Sequence, residues 1–98
     1  TDVDAAIARI SSYKKVEGVL AVDWDGVAIR STLSHEATLQ HVSLITKLTK
    51  MARQTVKDLD GEGQDDLSFL RIRSKKHEIM VCPEEKYLLI VLQNPQER

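Results

Sequence analysis

Cysteine is almost missing: Cys82 is the only one in 98 residues, so no disulfide can form within the chain. It lies in an apolar stretch, away from any His or cationic neighbour. Such a thiol reads as a small buried apolar side chain in a protein of a reducing compartment. Aromatic residues make up only 4% of the chain, too few to interleave with basic residues as a nucleic-acid surface requires. Charge of one sign is also lacking, because 14 basic and 15 acidic residues leave a net charge of -1 and no global field for nucleic acid or membrane. No apolar run approaches the ~20 residues of a membrane span, and no signal-peptide pattern opens the chain. The sequence starts at Thr1 without methionine, so trimmed residues are expected before it. Repeats and low-complexity segments are absent.

What is present is ordinary for one globular domain: 42% hydrophobic and 30% charged residues, enough for a single core. The most informative stretch is Leu67–Leu92, three apolar runs cut by two polar turns, which predicts a three-stranded antiparallel meander. Leu67–Arg73 alternates and should be half-buried. Glu78–Cys82 is the linking strand, with Pro83 as its stop. Tyr87–Leu92 is apolar on both faces and belongs mid-sheet with a layer on each side.

Upstream, Thr1 or Asp2 can cap a first helix carrying Val3, Ala6, Ile7, Ile10 and Tyr13 at helical spacing to about Lys15. Val19–Val22 is a second run without alternation. Asp23-Trp24-Asp25-Gly26 is a hairpin turn, and Val27–Ser31 returns as a more polar edge strand. His35 to about Asp60 is a long helix capped by Ser34 or Thr32. Leu44, Leu48, Met51, Thr55 and Leu59 form one stripe on it, and Val42, Ile45, Thr49, Ala52 and Val56 a second. Together they span an arc of roughly 180°, wider than the ~100° needed to rest on a sheet. The excess predicts a second contact. A six-residue loop from Gly61 to Asp66 leads into the meander, and Asn94–Arg98 is a polar tail.

The hairpins and the two doubly apolar strands give a five-stranded antiparallel sheet of order 2-1-5-4-3 in a three-layer α/β/α sandwich. Leu67–Arg73 then lies at an edge without proline, a liability unless something pairs with it. Pairing with its own copy, long helix against long helix, satisfies the edge and the surplus arc through one two-fold interface. The expected dimer contacts are Leu44, Leu48, Met51 and Thr55 on the helix, with Leu67, Phe69, Leu70, Arg71, Ile72 and Arg73 at the edge. The first helix is too narrow for its face of the sheet, so a partner's helix is the natural filler.

The enzyme signals dissolve on inspection. Val19-Leu20-Ala21-Val22-Asp23-Trp24-Asp25-Gly26-Val27, an apolar strand followed by Asp-x-Asp-Gly, resembles the first motif of haloacid-dehalogenase-type phosphatases, whose paired carboxylates face phosphate and Mg²⁺. Here a strand returns directly after the glycine, and the downstream Ser/Thr, Lys and acidic pair of a longer α/β domain have no place; a turn with capping aspartates is the simpler reading. The basic cluster Arg71, Arg73, Lys75, Lys76 and His77 is flanked by acids and reads as a solvated hairpin. His35, His41 and His77 share no ligand spacing, so no catalytic residue, metal or cofactor is expected. Trp24 is expected to fold onto its own hairpin.

The block Phe69-Leu70-Arg71-Ile72-Arg73-Ser74-Lys75-Lys76, followed by Glu78–Val81, Pro83, Tyr87, Leu89–Val91 and Gln93-Asn94-Pro95, closely resembles the roadblock family of cytoplasmic and axonemal dynein light chains. The likeness extends along the whole chain, whereas Asp23-Trp24-Asp25 departs from the family's usual hairpin. The resemblance implies a homodimer whose sheets join into ten strands. It also implies binding of a dynein intermediate chain segment, reached by Phe69, Arg71 and Arg73, in company with other dynein light chains. A cytoplasmic, cytoskeletal or ciliary location would follow. Related roadblock proteins act instead as scaffolds or regulators of small GTPases.

Overall fold

The computed structural model describes residues 2–95. Its elements are α1 (Asp2–Ser11), β1 (Val16–Asp23), β2 (Ala28–Ser31), α2 (His35–Leu59), β3 (Leu70–Arg73), β4 (Glu78–Pro83) and β5 (Tyr87–Gln93). The strands form one antiparallel sheet of order β2-β1-β5-β4-β3, as the apolar patterning requires. Val19–Val22 and Leu88–Val91 are buried on both faces. Leu20, Val22, Val81, Leu88 and Ile90 form the core with Val42 and Ile45 of α2. The alternate residues Val19, Ala21, Leu89 and Val91 point to the other face, where α1 packs on β1. Met80 and Cys82, on that same face of β4, are only half-buried.

Local chemistry sets the ends. Ser34 caps α2, its Oγ accepting the Ala37 N–H at 3.2 Å. Asp60 closes the helix and organises the loop after it: its carboxylate accepts the N–H groups of Glu62, Gln64 and Asp65 at 3.2, 2.6 and 2.7 Å. These bonds favour the charged form and hold Asp60 below the usual carboxylate range. Gly26 closes the β1–β2 turn at φ 88°, a conformation that costs other residues a steric clash.

Four expectations need correcting. α1 stops at Ser11 rather than near Lys15, since the hydroxyls of Ser11 and Ser12 bond back to the carbonyls of Ile7 and Arg9 and end the helix; Tyr13 is consequently exposed. β3 begins at Leu70, so Leu67 and Phe69 precede the strand, and the edge is four residues long rather than seven. The β3–β4 ladder ends at Leu70–Val81; two residues further along β4 stands Pro83, which has no N–H to continue it. Cys82 is half-buried rather than buried, and desolvation followed by the charge of Glu84 pushes its thiol pKa up, so it is not an activated thiolate. Trp24 reaches beyond its hairpin, as described below. The proposed cap Thr1 and the last three residues of the tail lie outside the described residues.

Candidate docking face

The two stripes of α2 have separate fates. Val42, Ile45 and Thr49 are buried against the sheet, while Leu44, Leu48 and Met51 are 64%, 40% and 60% exposed. Thr55 is exposed as well, its hydroxyl tied back to the Met51 carbonyl at 2.8 Å. A single helical period therefore supplies both an inner packing face and an outer apolar ridge.

Beside the ridge runs β3, which pairs only with β4, leaving its other backbone edge open. Between ridge and edge lies a groove of about 410 Å³ lined by Leu44, Ile45 and Leu48 from α2 and Ile72 and Ile79 from the sheet. His41, His77 and Gln40 complete its rim; sequence spacing did not single these out, because only the crossing of α2 over the sheet brings them together. The His41 imidazole Nδ1 is 2.7 Å from the Ala37 carbonyl, the geometry of an Nδ1–H donor that leaves Nε2 to the groove. An exposed apolar ridge, an open strand edge and a groove between them thus lie side by side on one face of the chain.

The edge residues divide by face. Leu70 and Ile72 are half-buried and turn toward α2. Arg71 and Arg73 stand on the opposite face. Arg71 holds Glu78, whose side chain is 3% exposed, through Nε and Nη2 at 2.6 and 2.5 Å, and Gln93 donates to the other carboxylate oxygen at 3.2 Å. Arg73 donates to the Pro95 carbonyl at 3.0 Å. Both arginines are thus anchored within the chain, with their stems available for packing. Phe69, 47% exposed, directly precedes β3.

At the far end of α2, Trp24 joins three segments. Its Nε1–H donates to the Glu84 carbonyl at 3.2 Å, and the Arg53 guanidinium lies 4.7 Å from the ring centroid. Arg53 also makes two bonds to Asp66, at 2.8 and 3.1 Å. The hydrogen bond to Asp66 raises the Arg53 pKa, and the same bond, with the Leu67 N–H, lowers that of Asp66. No group of three metal-ligating side chains occurs among the described residues. No described helix is long and apolar enough to cross a membrane.

Known proteins share this fold. The fold matches a roadblock/LC7 domain from Streptomyces avermitilis at TM-score 0.81 and 15% identity, covering 98% of this chain and 81% of that one. It matches Myxococcus xanthus MglB at TM-score 0.83 and 17% identity, covering 100% and 80%. An MglB structure with a tetrameric arrangement matches at TM-score 0.74 and 12% identity, covering 95% and 71%. These identities establish the fold alone. The Roadblock/LC7 domain model matches residues 2–94, and the chain belongs to the Roadblock/LC7 domain family.

Proposed function

We propose that this chain is a non-catalytic adaptor that pairs with a second copy of itself and presents the joined surface to a protein partner. The observation that carries the pairing is the open β3 edge lying beside the exposed ridge of Leu44, Leu48 and Met51. Two-fold pairing extends the sheet to ten strands and buries ridge against ridge. The tetrameric arrangement of one MglB neighbour supports self-association in this fold.

For the partner, the Phe69–Lys76 block supports a dynein light chain role: binding an intermediate chain segment in cytoplasmic or ciliary transport, with Phe69 and the stems of Arg71 and Arg73 as contacts. A second reading is a roadblock-fold scaffold or regulator of a small GTPase. The solved-structure comparisons favour that reading over the first, since the neighbours named above are MglB proteins and a Streptomyces domain, none of them a dynein component. Immobilised protein offered intermediate-chain fragments and a panel of nucleotide-loaded GTPases separates the two. Retention of the fragments alone supports the motor role, and retention of a GTPase alone transfers the assignment to the second reading.

A further inference from the structure

The Trp24 cluster lies away from the ridge and edge, and the pairing described above makes no use of it. A hollow of about 490 Å³ opens between the β1–β2 turn and the C-terminal half of α2, lined by Trp24, Asp25, Lys50, Arg53, Gln54 and Lys57. That volume falls within the range of ~300–1,000 Å³ typical of ligand sites. Its charges are unevenly spent. Arg53 is neutralised by Asp66, whereas neither Lys50 nor Lys57 makes an ion pair with a described residue; Lys57 acts on Asp66 only through space. Asp25 is the one acid on the rim. On the other side of the Trp24–Arg53 stack the neighbouring hollow carries Asp66, Glu84 and Glu85, so this pair of side chains separates a cationic recess from an anionic one.

The recess is also held still. The Trp24 ring is fixed by its bond to Glu84 and by Arg53, and Arg53 by two bonds to Asp66. A ligand there would not meet the ordering cost of a mobile aromatic anchor. At ~100° per residue, Lys50 stands about 200° around the helix from Leu48. Lys50 and Lys57 also stand about 100° and 120° around the helix from Met51, so both lie off the ridge itself. Lys50 and Lys57 are seven residues apart, about 10.5 Å along the helix axis. Two cationic positions two turns apart on one side of the helix suit a chain carrying several carboxylates.

From this we infer that the recess between the Trp24 turn and α2 docks an acidic peptide segment of a partner protein, its carboxylates meeting Lys50 and Lys57 and its backbone or an apolar side chain lying against Trp24. The inference stands whichever partner reading above holds, because it concerns a different face of α2.

Trp24 is the only tryptophan in the chain, so its emission reports on this recess. A glutamate-rich peptide titrated into the full chain should give a saturable change in Trp24 emission that weakens with added salt. A lysine-rich peptide of equal length, and inorganic phosphate at equal charge, should give none. The variant Lys50→Glu/Lys57→Glu, at one exposed and one half-buried position and with folding checked by circular dichroism, should bind at least tenfold more weakly. A control variant Lys14→Glu/Lys86→Glu should bind as the parent does. The inference is overturned by no saturable response to the acidic peptide, by an equal response to phosphate, or by equal loss in the control variant.

Discussion

Met51→Asp tests the pairing surface most directly, because Met51 is 60% exposed in a single chain and its replacement leaves the core untouched. Fully burying such a side chain is worth ~1.5–3 kcal/mol, so the exposed part contributes about 1–2 kcal/mol per copy when the ridges meet, or about 2–4 for the pair. The substitution removes that gain and places one carboxylate from each copy in an apolar contact near a two-fold axis. Their desolvation and mutual repulsion add several kcal/mol more. A total of at least about 5 kcal/mol weakens association by more than about a thousandfold. The isolated chain should keep its fold, since exposed substitutions usually alter stability by no more than ~0.5 kcal/mol. Sedimentation velocity over a concentration series at unchanged far-ultraviolet circular dichroism is the assay. A parent chain that stays monomeric at micromolar concentration, or a variant whose mass matches a dimeric parent, would refute the reasoning.

Other perturbations probe the features around that surface. Arg71→Ala strips the cation from the nearly buried Glu78 carboxylate and should cost about 1–3 kcal/mol in urea unfolding; adding Glu78→Gln should recover part of the loss, and no recovery would show that the ion pair is not what Arg71 supplies. Gly26→Ala forces a β-carbon onto a backbone at φ 88° and should cost roughly 1–2 kcal/mol, while an unchanged unfolding midpoint would contradict the turn geometry. Asp60 and Asp66 have folded pKa values below their ordinary ones, so their ordering of residues 61–66 is fully present above the unfolded value of about 4 and disappears as pH falls through the lower folded values. Amide exchange at Gln64 and Asp65 should accelerate over that acid range, ahead of β5; protection that persists there would rule out the carboxylate-held loop.

The sheet order was legible because two runs, Val19–Val22 and Tyr87–Leu92, lack alternation and so demand central places, from which the hairpins dictate the rest. The division of α2 was legible for a related reason: its apolar arc is too wide for one contact, and Val42, Ile45 and Thr49 are indeed buried while Leu44, Leu48 and Met51 are not. The errors share one cause, in that partners distant in sequence decide what a local pattern cannot. Leu67 and Phe69 alternate like strand residues, yet Pro83, on another strand, ends the ladder they would join. Trp24 looks like a self-contained turn residue until Glu84, 60 positions away, offers its carbonyl. Arg71 and Arg73 read as exposed edge residues open to an interface, and only the fold supplies Glu78 and the Pro95 carbonyl as their acceptors.

The two rims of the sheet differ in what further growth they permit. Rotational pairing through β3 uses that rim up in two molecules and stops, whereas a head-to-tail contact of β3 with β2 would propagate without limit into a filament. β2 is a poor template for such growth. It is four residues long, it lies opposite an irregular register between Ala21 and Val22, and its Arg30 is tethered to Asp4 of α1. A short, distorted, charged rim discourages strand addition. The chain thus leaves one rim open and guards the other, so the proposed pairing through β3 would end in a finite assembly and not a fibre.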